Sequence, residues 1–140
     1  MSKWGPAAWD FLHRSSFAYP DNPTKAQQDE ALAFYRSLGV MLPCPKCAEH
    51  WTKMIKKSPP ETESKDKLAK WLWARHNEVN VRLRKPQVSF RAARLKFDDR
   101  MRKKYAILSC ARVFVMGIAV ALLVMVVMSW VVKSSCPCAA

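Results

Sequence analysis

Apolar positions in the first hundred residues recur at helical spacing, and nowhere do they alternate in the manner of a strand. Trp9, Leu12, His13 and Ser16 share one face of a segment that Pro20 ends. A second stripe, Ala31, Leu32, Phe34, Tyr35 and Leu38, follows Thr24, a residue suited to cap a helix. CPKCAEHWTKMIKK reads as a turn entering a third helix, with Pro45 at its first position. After the loop SPPETES, Leu68, Leu72, Val79 and Leu83 mark a long helix from Asp66 to Lys85, stopped by Pro86. Ser89 to Lys104 can form a fifth, basic helix. The pattern predicts a small all-α bundle over residues 1–105.

Beyond it the pattern changes. Val113 to Val132 contains no charge, and about twenty helical residues span roughly the ~30 Å of a bilayer's hydrocarbon core. A domain of this size could hardly enclose such a helix, so the reading is a transmembrane anchor over 106–133, with Trp130 near one interface and a short tail over 134–140. Of the 24 Lys and Arg, all but Lys133 precede the span, against 11 acids, and the formal charge is +13. Basic residues crowd between Arg82 and Arg112, opposed only by Asp98 and Asp99. This asymmetry places the helical domain on the cytosolic side. The absence of an N-terminal signal agrees with a tail-anchored, single-pass arrangement. Such a charge could also suit nucleic acid, but orientation and attraction to anionic lipid account for where it lies, so no nucleic-acid partner is expected.

Three segments carry candidate chemistry. Cys44-Pro45-Lys46-Cys47 can close a small disulfide ring where a helix begins, and there the helix dipole favours a thiolate. Half a zinc site and a pair of buried thiols are the alternatives. Zinc would need two more ligands, His50 supplies at most one, and Cys136 and Cys138 lie beyond the span, so no metal is expected. In the long helix, His76, Asn80 and Leu83 share a face, with Asn77 beside them. Burying such groups without partners costs about 1–3 kcal/mol each, so they face a planar hydrogen-bonding ligand, cap neighbouring helices or stay half solvated. At the N-terminus Trp9 and His13 meet on one face, either to stack on a flat ring or as plain core packing.

Together these segments, W-G-P-x-x-W-x-F-L-H, C-P-x-C-x-x-H and H-N-x-V-N-x-R-L-x-K-P, resemble the Erv/ALR family of FAD-dependent sulfhydryl oxidases from Lys3 to Pro86. The resemblance implies a four-helix bundle with a short fifth helix, FAD as cofactor, and usually a homodimer. It implies Cys44 and Cys47 as the redox-active disulfide, with Cys47 against the flavin and Cys44 open to an incoming thiolate. Trp4, Gly5, Trp9, His13, Cys47, His50, His76, Asn77, Val79, Asn80, Leu83 and Lys85 match positions that line FAD in the family. The implied reaction oxidises a protein dithiol, or a small thioredoxin-like carrier, and delivers the electrons through FAD to O2 as hydrogen peroxide. A basic membrane-anchored adaptor or a nucleic-acid binder would explain the charge but not the three motifs.

Two features depart from the family. Many members staple the HN helix to the following segment with a second disulfide, whereas here that neighbourhood holds Trp73 and Ser89-Phe90. Many also carry a mobile cysteine pair that shuttles electrons. The one candidate here, Cys136-Pro137-Cys138, falls across the bilayer from Cys44 on the topology above. Cys110, at the membrane edge, reads as a bystander or a palmitoylation site. A short, staple-free domain with this orientation resembles the forms encoded by large cytoplasmic DNA viruses, pointing to a virion or an internal membrane of the infected host; the alternative is a cellular enzyme of an organelle membrane.

Overall fold

The computed structural model describes residues 4–135, with side chains to Val132. Six helices follow one another, and no strand occurs among the described residues: α1 Trp4–Ala18, α2 Lys25–Met41, α3 Pro45–Lys57, α4 Lys65–Arg82, α5 Phe90–Phe97 and α6 Asp99–Ser135. The chain divides into two compact units, residues 1–99 and 100–140.

Helix starts in the first unit are fixed by local chemistry. Thr24 caps α2 in a reciprocal box: its Oγ1 accepts from Gln27 N (3.3 Å), and Gln27 Oε1 accepts from Thr24 N (2.9 Å). Ser64 and Ser89 cap α4 and α5 by the side-chain bond alone, accepting from Lys67 N (3.3 Å) and Ala92 N (3.2 Å). The cap of α3 is unusual, because Cys44 Sγ accepts from Cys47 N at 3.2 Å, with Pro45 next in the chain.

α1 packs along α4, α2 packs against α3, and α5 lies across α1 and α4. Their shared core is aromatic at its centre. Tyr35, Trp51 and Trp71 meet edge to face, with ring centres 5.2 Å (Tyr35–Trp71) and 6.3 Å (Trp51–Trp71) apart, and Leu68 and Leu72 fill the space beside them. Both buried indoles are satisfied: Trp51 Nε1 donates to Tyr35 O (2.8 Å) and Trp71 Nε1 to Ser58 O (3.0 Å). Gly39 lets α2 and α3 approach closely, since a Cβ there would meet Thr52 Oγ1 at 2.7 Å. A second cluster, Phe17, Ala69, Ala93 and Phe97, seats α5, with Trp73 and Phe90 packed on its edge.

Two helix ends differ from the sequence expectation. α4 stops at Arg82, short of Lys85, because Arg84 turns into the left-handed region (φ 54°) and Lys85 N bonds back to Asn80 O (2.8 Å). The chain has therefore left the helix before Pro86 can stop it. The fifth helix ends at Phe97 instead of Lys104. Asp98 takes an extended conformation there and is buried beside Arg94, while Phe97 is anchored in the second cluster. A continuous helix from Ser89 to Lys104 would lift both side chains out of their sites.

Among the described residues the second unit is one helix, exposed from Arg102 to Val132. From Asp99 to Val132 it is long and apolar enough to cross a membrane. Cys110 lies on it as a free, exposed thiol. Cys136 and Cys138 lie outside the described residues.

Candidate active site

At one end of the bundle, α1, α3, α4 and α5 surround a cavity of about 790 Å³, within the range that holds cofactors. Three helical faces build its wall, each from residues one turn apart. α1 contributes Trp4, Gly5 and Trp9, α3 contributes Cys47 and His50, and α4 contributes His76, Val79 and Asn80. Leu83 and Lys85, on the turn after α4, add two more of the expected residues. Leu12, Trp51, Leu38 and Leu42 close the apolar floor.

The centre of the wall is a stacked pair. The Trp9 indole and the His76 imidazole lie 4.0 Å apart and within 3° of parallel. Trp51 meets Trp9 edge-on, with ring centres 6.1 Å apart. Arg82, Lys85 and Lys96 bring positive charge to the same cavity, whereas the one carboxylate on its wall, Asp10, is paired with Arg14 at 2.9 Å. Flat aromatic surface beside unopposed cations suits a planar ring system that carries anionic groups.

Cys44 and Cys47 form a disulfide across the first turn of α3. Cys47 lies in the cavity wall, but Cys44 does not. One sulfur thus faces the cavity while the other sits at the helix cap, where backbone N–H groups and the dipole stabilise negative charge. His50 follows Cys47 by one turn; burial, and then the charge of Arg82, hold its imidazole below the usual histidine range. Among the described residues no group of three or more His, Cys, Asp and Glu stands where it could hold a metal ion.

Two expected residues are not in the wall. His13 is buried one layer behind it, with Nε2 2.8 Å from His76 Nδ1 and its ring stacked on Phe97 at 4.6 Å. Asn77 turns away from the cavity, because neighbours on a helix point about 100° apart. Its Nδ2 donates to Val88 O (2.9 Å) and its Oδ1 accepts from Val88 N (3.0 Å). Trp73 Nε1 donates to the same carbonyl at 2.6 Å. These bonds clamp the segment that carries Lys85 to the cavity. Lys96 and Phe97 line the wall without having been expected from the sequence. The only signal for them was an amphipathic basic stretch, which carries no motif.

Residues 6–103 match the Erv1 / Alr family, and that stretch is most of the chain. The chain belongs to the Erv1 / Alr family. Among members, the mitochondrial FAD-linked sulfhydryl oxidase ERV1 of Saccharomyces cerevisiae is 36% identical over 87 residues, which cover 62% of this chain and 46% of that protein. The chain thus spans under half the length of that relative. The putative FAD-linked sulfhydryl oxidase 347L of Invertebrate iridescent virus 6 is 35% identical over 101 residues, covering 67% of this chain and 91% of the viral one. The crystal structure of the FAD-binding domain of Erv1 from Saccharomyces cerevisiae superposes with a TM-score of 0.68 at 31% identity, covering 71% of this chain and 94% of that one. The Erv1 / Alr fold here is therefore the bundle α1–α5.

Proposed function

We propose that this Erv1 / Alr chain is an FAD-linked sulfhydryl oxidase that makes disulfides in protein dithiols, with O2 as final acceptor and hydrogen peroxide as product. The observation that carries the reading is the disulfide itself: Cys47 is in the wall of an aromatic, cation-rimmed cavity, and Cys44 is not part of that wall. FAD would be held by the Trp9–His76 stack, by Asn80 and by the cations Arg82, Lys85 and Lys96. When bound, it supplies a two-electron acceptor next to Cys47 and a route from there to O2.

The protein's own part is thiol–disulfide exchange. A substrate thiolate attacks Cys44 Sγ, the Cys44–Cys47 bond breaks, and Cys47 leaves as a thiolate. The second substrate thiol, deprotonated, attacks the first substrate sulfur in the mixed disulfide and releases Cys44 as a thiolate. The substrate is then a disulfide, and the pair at α3 holds the two electrons. The departure of Cys44 is eased by the start of α3, where the Cys47 N–H points at Cys44 Sγ.

The remaining parts of the reading extend beyond the bundle. The apolar run of α6 would anchor the enzyme in a membrane, and the preceding basic residues would keep the catalytic domain on the cytosolic side. The viral relative favours a virion or internal membrane of an infected host. The enzyme would act as a homodimer on a dithiol protein or a thioredoxin-like carrier. Cys136 and Cys138 would serve as a shuttle only if the tail lay on the same side as Cys44.

The test uses the full chain in detergent. It should carry flavin absorbance and consume O2 with dithiothreitol. Cys47→Ser should lose turnover and keep the colour. A folded protein that takes up no FAD would sink the proposal.

A further inference from the structure

His13 does not reach the cavity, yet it constrains what the cavity wall offers. Its Nε2 and His76 Nδ1 are 2.8 Å apart, a separation that requires one proton between them. Both imidazoles are neutral near pH 7. Burial, then His76 and Lys96, lower His13 to about 3; burial, then Lys96 and Lys85, lower His76 to about 4. The shared proton therefore belongs to one ring or the other, and the choice fixes both tautomers.

The far edge of His13 decides between them. His13 Nδ1 is buried and has no hydrogen-bond partner among the described residues. If His76 donated from Nδ1, the His13 proton would have to sit on its own Nδ1, leaving a buried N–H with no acceptor. If His13 donates from Nε2, Nδ1 is only a bare lone pair. Under-satisfied acceptors occur in protein interiors more readily than orphaned donors, so the second arrangement prevails. In it His76 keeps its proton on Nε2. The Trp9 stack fixes the plane of that ring, and the bond from His13 fixes its rotation within the plane.

We propose that His13 is a positioning residue that locks His76 in the Nε2–H tautomer, so that the wall presents a fixed donor and selects a ligand with an acceptor lone pair in the plane of the His76 ring. A ring nitrogen, a carbonyl or a phosphoryl oxygen meets that requirement, and an amino group does not. The proposal rests on reading the cavity as a flavin-nucleotide site, but its first test does not require that ligand.

The test is long-range 1H–15N correlation spectroscopy on the full-length chain in detergent micelles, labelled at histidine, with and without added FAD. His13 and His76 should each show a protonated Nε2 and a bare Nδ1 at pH 7. A protonated Nδ1 on His76, or averaging of its two nitrogens, overturns the proposal. In His13→Phe, which keeps a ring against Phe97 but cannot donate, His76 should lose its single tautomer and the Kd for FAD should rise on the order of tenfold. His13→Gln, whose amide N–H can replace Nε2–H, should restore the tautomer and bring the Kd back to within about threefold. An unchanged His76 in His13→Phe overturns the proposal as well. If the unsubstituted chain binds no FAD, the oxidase reading fails, while its histidine spectrum still decides the tautomer. Should His13→Phe not fold, that same spectrum is decisive.

Discussion

Replacing Asn77 by alanine removes both hydrogen bonds to Val88 and leaves the Val88 N–H with nothing in their place. The cost should be about 2–3 kcal/mol, read as a lower urea midpoint. The loss should come with weaker FAD retention, because the same bonds hold the segment bearing Lys85. A change within about 0.5 kcal/mol would show that Val88 is held by Trp73 alone. The sequence set His76 and Asn77 side by side as members of one motif, and their difference in role follows from helix geometry. His76 shares a face with Asn80 and Leu83, whereas Asn77 is rotated toward α5. For His13 the helical spacing correctly implied a common face with Trp9. Its depth was a different matter, since whether a residue is in a wall or behind it depends on which helix lies beyond, here α5 with Phe97.

Among the elements, the crossing of α2 and α3 depends on Gly39. Alanine there gains roughly 0.8–1 kcal/mol of helix propensity but brings a Cβ to 2.7 Å from Thr52 Oγ1, which is itself bonded to Ala48 O at 2.9 Å. Overpacking of this kind costs about 1–3 kcal/mol, so Gly39→Ala should be destabilising on balance. In a Thr52→Ala background the same change should become neutral or stabilising, a coupling that a double-mutant cycle of denaturation midpoints would measure. Additive effects would mean that α2 and α3 can shift apart freely. A second element-scale feature replaces the absent family staple. Trp73 donates to Val88 O and its ring meets Phe90 edge-on at 5.7 Å, while Arg94 and Lys70 lie near 6 Å from the Phe90 centre. The missing cysteines were legible in the sequence. That aromatic packing and backbone hydrogen bonds stand in their place was not, because it requires α4 and α5 to be side by side.

For the whole molecule, the two neutral histidines predict acid lability. Both pKa values are lowered on folding, to about 3 for His13 and about 4 for His76, from an ordinary value of 6.5. As pH falls below 6.5 the unfolded chain takes up protons that the folded chain refuses, so stability is complete above that point. It is lost as pH falls from 6.5 to about 4 for His76 and to about 3 for His13. The slope should reach at most about 1.4 kcal/mol per pH unit for each histidine, less for the half-buried His76. Urea midpoints in detergent at pH 7, 5.5 and 4.5 should fall in that order, and His13→Phe should flatten the dependence by about half. A flat profile in the unsubstituted chain would contradict burial of neutral imidazoles. The membrane proposal has its own test: the full chain should resist alkaline carbonate extraction, and release into the supernatant would refute anchoring by α6.

Periodicity alone determined that this chain is helical, roughly where most helices start, and that an uncharged run of membrane length follows them. These are local properties, set by side-chain spacing, caps and prolines within a few residues. The residues also indicated that Cys44 and Cys47 could close a ring where a helix begins and that His76 and Asn80 share a face, because a helix fixes its own faces. The tertiary structure decided what depends on a second helix. It set His13 behind His76, turned Asn77 onto Val88, brought Lys96 and Phe97 into the wall, and ended α5 at Phe97 so that Phe97 and Asp98 could be buried. Burial and hydrogen-bond direction arise only between elements, and no spacing within one element specifies them.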